Sequence, residues 1–85
     1  MGAKMYGAFW CPHCHAQKQL FGQEALKLIT YIECDARGQN PQPHLCQSAN
    51  IRAYPTWDIR GEFFQGVQSL EALAELSGYQ GDRNF

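Results

Sequence analysis

The chain has 85 residues, enough for one small domain, and its net charge of −1 with scattered basic residues gives no footprint for nucleic acid. No apolar run approaches the ~20 residues that cross a bilayer, so this segment does not itself insert into a membrane. A chain this short buries only about 60–65% of the surface its unfolded form exposes, so its 13% aromatic content and its four cysteines bear directly on stability.

The start, Met1-Gly2-Ala3-Lys4, lacks the apolar region of a signal peptide. A first strand follows almost at once, as in a piece of a longer protein. Lys4 to Phe9 has apolar residues on both faces and reads as a buried parallel strand. Cys11 to about Leu28 reads as a helix bent near Gly22, with Leu20, Phe21, Ala25, Leu26 and Leu28 at helical spacing. Pro12 suits its first turn, where a missing N–H costs nothing. Thr30 to Cys34 is a β-branched and aromatic second strand. Asp35 to Gln42 reads as a loop, and Pro43 to Ala49 as a short helix with Asn50 as its left-handed cap. Thr56–Ile59 and Glu62–Gln65 flank Arg60-Gly61, a hairpin turn. Ser69 caps a last helix, Leu70 to Ser77, with Leu70, Leu73 and Ala74 facing inward and Gly78 ending it. The domain therefore spans 1–79, and 80–85 is expected to be a disordered tail. The order β-α-β-α-β-β-α predicts an α/β fold: a four-stranded mixed sheet with helices on both faces.

The chemistry concentrates in Cys11-Pro12-His13-Cys14, at the passage from the first strand into the first helix. Two cysteines at this spacing can cycle between dithiol and disulfide, and the free N–H groups of a helix start favour a thiolate, the reactive form of the sulfur. His13 can add a hydrogen bond or a positive charge. Cys11 is expected to be the exposed attacking and leaving sulfur, and Cys14 the resolving one. No cofactor beyond this redox-active disulfide is needed.

Two rivals use the same residues. Cys11-x-x-Cys14-His15 also matches c-type haem attachment, although a strand leading straight into the motif suits a redox turn better. Cys11 and Cys14 with Cys34 and Cys46, or His44, could hold zinc in a non-catalytic partner-binding module. Cys34 and Cys46 are too far apart for the second close-spaced ligand pair of such a site, so no metal site is assigned. That second pair admits three readings: a structural disulfide, a redox relay, or two buried thiols. The even cysteine count favours an oxidising compartment.

Phe9-Trp10-Cys11-Pro12-His13-Cys14 after a strand, Tyr54-Pro55-Thr56 before the hairpin, and Gly66 before the last helix together resemble the thioredoxin superfamily in a compact form, without its usual leading strand and helix. A closer similarity is to the thioredoxin-like domain fused to bacterial and plant homologues of vitamin K epoxide reductase. It is carried by Met5 to Cys14, the pair Cys34 and Cys46, and Ile51 to Trp57.

The resemblance implies a periplasmic or thylakoid-lumenal domain. Such a domain takes electrons from reduced substrate proteins and passes them to the membrane-embedded reductase domain and on to quinone. It implies a cis Pro55 beside the cysteines, with the Tyr54 backbone open to an extended substrate strand. Trp10 and Pro12 complete the expected substrate contacts. The Pro12-His13 pair resembles that of periplasmic oxidants rather than the Gly-Pro of thioredoxins, and Met5 stands where thioredoxins carry a buried acid. Both departures favour an oxidant or isomerase over a reductase such as a free-standing thioredoxin- or glutaredoxin-like protein, and the domain is expected to be a monomer.

Overall fold

The computed structural model describes residues 3–27 and 29–77. Its elements run β1 (Ala3–Gly7), α1 (Pro12–Leu26), β2 (Thr30–Glu33), α2 (Pro43–Ser48), β3 (Thr56–Ile59), β4 (Glu62–Gln65) and α3 (Leu70–Ser77). The strands form one sheet in the order β2-β1-β3-β4. β1 lies parallel to β2, with Met5 opposite Tyr31, and antiparallel to β3, with Met5 opposite Trp57. A parallel neighbour cannot be reached by a tight turn, and α1 supplies the crossover. The expected mixed four-stranded α/β architecture is therefore present.

As a central strand, β1 buries both of its faces, because successive side chains point to opposite sides of the sheet. Ala3 and Met5 join Cys14, Trp57, Ile59 and Leu73 in one core, where the Phe21 and Trp57 rings stand 5.6 Å apart. Tyr6 joins Ile32, Cys34 and Cys46 in a second core beneath α2. Phe63 is half exposed and lies against Tyr6, with centroids 6.4 Å apart.

Local chemistry sets the turns. Arg60 and Gly61 both take positive φ (56° and 87°), as a two-residue hairpin turn needs, and the Gly61 N–H donates to Asp58 Oδ1 at 3.0 Å. Asn50 (φ 58°) turns the chain out of α2, and the Ile51 N–H closes onto the Cys46 carbonyl at 3.0 Å. The Ser69 hydroxyl accepts the Ala72 N–H at 3.0 Å, as the expected N-cap of α3. α1 does bend at Gly22, whose φ and ψ (74°, 168°) are not helical.

Several expectations need correction. β1 stops at Gly7, and Phe9 is 44% exposed rather than buried in the strand, because its N–H turns away to the Glu33 carboxylate. Leu20, 47% exposed, does not belong to the buried face of α1. That face carries Cys14, Gln17 and Phe21 instead. Leu28, Gly78 and the tail fall outside the described residues.

Candidate active site

The chain leaves β1 and folds back tightly: the Cys11 N–H donates to the Ala8 carbonyl at 3.1 Å. Pro12 then opens α1, and the Cys11 carbonyl accepts the His15 N–H at 3.1 Å. Cys11 thus occupies the capping position of α1, where unpaired N–H groups face outward. His15 adds a second tie, its Nε2 hydrogen bonding the Phe9 carbonyl. This side chain, read above only as a rival haem ligand, braces the redox turn against the helix it starts.

Cys11 is only 5% exposed, which corrects the expectation of an open sulfur. The Tyr54 carbonyl accepts from its thiol at 3.9 Å, and the Trp10 and Tyr54 rings pack edge to face beside it, with centroids 6.1 Å apart. Cys14 lies one turn into the helix and is fully buried. Burial pushes its thiol up to about 11; the neighbouring Cys11 adds to the rise, while the Ala8 backbone N–H and Lys18 pull the other way. A thiol so placed holds its proton at neutral pH.

The Tyr54–Pro55 peptide is cis, Pro55 is fully buried, and the Tyr54 carbonyl before it faces the Cys11 thiol. The Gly66 N–H donates to the Pro55 carbonyl at 2.7 Å, tying that loop to the end of the hairpin. Trp10, Pro12, Tyr54 and Pro55 therefore gather around Cys11 as expected. Trp10 is 52% exposed, yet its indole N–H donates to Asp35 Oδ2 at 2.7 Å. Arg37 holds that carboxyl well below the usual carboxylate range through side-chain and backbone hydrogen bonds. His13 is exposed on the first turn of α1.

Cys34 and Cys46 form a disulfide, with their Cα atoms 5.8 Å apart, joining the end of β2 to α2. That bond withdraws two of the four sulfurs a zinc set would require. Cys11 and Cys14 are free thiols.

Two features escaped sequence reasoning. Gln17 is fully buried; its Oε1 accepts the Trp57 indole N–H at 3.0 Å and the Gln68 N–H at 2.7 Å, and its Nε2 donates to the Gln68 carbonyl at 2.9 Å. Its position three residues after Cys14, on the same helical face, was the available signal. Glu33 is 4% exposed and accepts the Phe9 and Asp35 N–H groups, each at 3.1 Å. A lone acid between Ile32 and Cys34 in a buried strand was its signal.

No known protein-family profile matches the chain. It is 43% identical over 86 residues to the thiol-disulfide oxidoreductase LTO1 of Arabidopsis thaliana; the match covers 98% of this chain and 23% of that protein, so the chain spans under a quarter of its relative's length. Among solved structures it resembles a thioredoxin of Plasmodium falciparum, with a TM-score of 0.56 at 23% identity, covering 91% of this chain and 69% of that one. Strand order, helix placement and this structural likeness together identify a thioredoxin-like fold.

Proposed function

We propose that this chain is a protein thiol–disulfide oxidoreductase domain that works as an oxidant. It takes electrons from reduced substrate proteins and hands them to a membrane-embedded, quinone-linked partner of the vitamin K epoxide reductase type, on the periplasmic or lumenal side. One observation carries the redox reading: Cys11 at the start of α1 faces the Tyr54 carbonyl beside a cis Pro55, with Cys14 sealed behind it. The relative named as a thiol-disulfide oxidoreductase, far longer than this chain, supports a domain within a larger redox protein. The Cys34–Cys46 bond suits an oxidising compartment.

In the oxidised form, a substrate laid along the Tyr54 backbone presents a thiolate to Cys11. Attack forms a substrate–Cys11 disulfide, breaks the Cys11–Cys14 bond and leaves the electron pair on Cys14. A second substrate thiolate attacks the first substrate sulfur, releasing Cys11 as thiolate and the substrate as disulfide. The domain has then gained two electrons, which the partner removes. His13, exposed on the first turn of α1 beside Cys11, can offer the released anion a hydrogen bond.

The test is oxidation of a reduced protein substrate by the wild type and by Cys11→Ser, with the potential of the pair measured against glutathione. An oxidant lies at about −120 to −200 mV, and a value near about −270 mV would reassign the domain as a reductant. Equal activity in Cys11→Ser would defeat the redox reading altogether.

A further inference from the structure

We propose that Tyr31 and Glu33 form a proton relay for Cys14, joining its buried sulfur to a solvent-facing cleft. The relay rests on the thiol–disulfide chemistry proposed above and adds residues to it. When the Cys11–Cys14 bond breaks, the electron pair goes to a sulfur with no access to water. A buried thiolate is a poor leaving group, and a proton arriving as the bond breaks removes the penalty. The neighbouring Ala8 N–H can hydrogen bond but cannot give up its proton. The Lys18 ammonium is engaged 3.9 Å above the Tyr31 ring.

Tyr31 is placed for the task by a glycine. A Cβ at Gly7 would sit 2.8 Å from Cys14 Sγ and 3.2 Å from the Tyr31 hydroxyl, so sulfur and hydroxyl border the same bare backbone no more than about 6 Å apart, within the span of one bridging water. The Tyr31 hydroxyl in turn donates to Glu33 Oε1 at 3.2 Å. The other carboxylate oxygen of Glu33 is committed to the Phe9 and Asp35 N–H groups, which fixes the carboxylate and leaves Oε1 for Tyr31. A second glycine clears this end: a Cβ at Gly38 would lie 2.5 Å from Glu33 Cγ and Cδ. Beyond Glu33 opens a cleft of about 530 Å³ lined by Phe9, Lys18, Tyr31, Glu33, Arg37 and Gln42, a route for protons from solvent. Burial and Glu33 hold the Tyr31 phenol well above its ordinary value, so the hydroxyl passes protons without ionising.

The step balances. A solvent proton enters on Glu33. As the substrate thiolate bonds to Cys11 and the Cys11–Cys14 bond breaks, a bridging water gives a proton to Cys14 Sγ and takes the Tyr31 proton, and Tyr31 takes the one on Glu33. Cys14 ends as a thiol and Glu33 as a carboxylate. Reoxidation runs the same path in reverse.

The experiment follows the reaction of oxidised protein with a small dithiol by stopped flow, in light and heavy water, for wild type, Tyr31→Phe, Glu33→Gln and the double variant. Tyr31→Phe is expected to slow the reaction by at least about ten-fold and to remove the solvent isotope effect. Glu33→Gln should match it, and the double variant should add nothing. Alkylation of Cys11 in a Cys14→Ser background involves no proton on residue 14, and Tyr31→Phe should leave it unchanged. An unaltered rate and isotope effect in Tyr31→Phe overturns the relay; so does an equal loss in the alkylation control, which would mark a purely structural role. Should Glu33→Gln fail to fold, Tyr31→Phe decides alone. A wild type inert towards dithiols is a different failure: it defeats the oxidoreductase reading and the relay with it.

Discussion

Cys34 and Cys46, 12 positions apart, are closed into a disulfide between β2 and α2, whereas Cys11 and Cys14 stand as thiols at the start of α1 on the other side of the sheet. All four sulfurs are buried, so burial does not separate the pairs. Their surroundings do. Tyr6, Ile32, Leu45, Ala49 and Ile51 pack on the disulfide, which also borders a cleft with Pro43, Gln47 and Asn50. The Cys11–Cys14 pair has a helix start, the Tyr54 carbonyl and the Tyr31–Glu33 hydrogen bond around it. A sulfur becomes reactive where polar groups can follow its change of charge, so the contrast to test is a reactive pair at α1 against a cross-link or relay between β2 and α2. Tyr54, which packs against both cores, is where the two regions meet.

Replacing sulfurs tests the contrast most strongly. Cys11→Ser should abolish disulfide exchange and leave the melting temperature near that of the reduced wild type. The double change Cys34→Ser and Cys46→Ser should do the reverse. It opens a loop of about 13 residues and costs on the order of 3 kcal/mol in denaturant unfolding, with turnover retained. If turnover is lost while stability stays, the second pair is a relay and the contrast collapses.

Gln17 tests whether the reactive side depends on its polar hub. Gln17→Leu keeps the volume but strands the Trp57 indole N–H and the Gln68 backbone N–H inside the protein. Unfolding by denaturant should show a loss of about 1–3 kcal/mol. A neutral result would mean those donors find other partners.

The sequence carried the architecture because each element has its own local signal: Arg60-Gly61 for the hairpin, Ser69 for the cap of α3, Asn50 for the end of α2, Gly22 for the bend in α1. Spacing and neighbours likewise singled out Cys11, Cys14 and Pro55, which the fold brings to one end of the sheet at the start of α1. Gln17, Tyr31 and Glu33 stayed hidden because their roles arise between elements. Gln17 bonds residues 40 and 51 positions away, and Glu33 reaches Phe9 across 24. Phe9 and Leu20 were misplaced because apolar character does not reveal which way the chain turns once it leaves the sheet.

The pairs should also part company in alkali. Disulfide cysteines do not titrate, whereas the Cys14 thiol is raised by burial from its ordinary 9.0 to about 11. The unfolded chain releases this proton first, so stability of the reduced protein is intact below about pH 9 and falls as pH rises towards 11, by on the order of 2 kcal/mol. Tyr31, also raised, adds to the fall above its ordinary value. Urea unfolding across this range should show the slope in reduced wild type and a smaller one in Cys14→Ser. Equal slopes would assign the whole effect to Tyr31 and the other phenols.

The mildest change probes the bridge between the regions. Asp35 directly follows Cys34, yet its carboxylate holds the indole of Trp10 beside Cys11 at 2.7 Å. The carboxylate is partly buried, but its partners Arg37 and Trp10 are exposed, so Asp35→Asn should lower the melting temperature only slightly. It weakens the acceptor for the indole N–H and the anchor for Arg37, freeing Trp10 to leave its edge-on contact with Tyr54. If the ring helps seat substrate strands, KM for a protein substrate should rise roughly two- to five-fold, the worth of one partly exposed hydrogen bond. The kcat should hold, because no group that moves a proton or an electron pair is altered. A fall in kcat with KM constant would place Trp10 in the chemistry at Cys11 instead of in docking, and the reactive pair would then depend on a residue next to the Cys34–Cys46 disulfide.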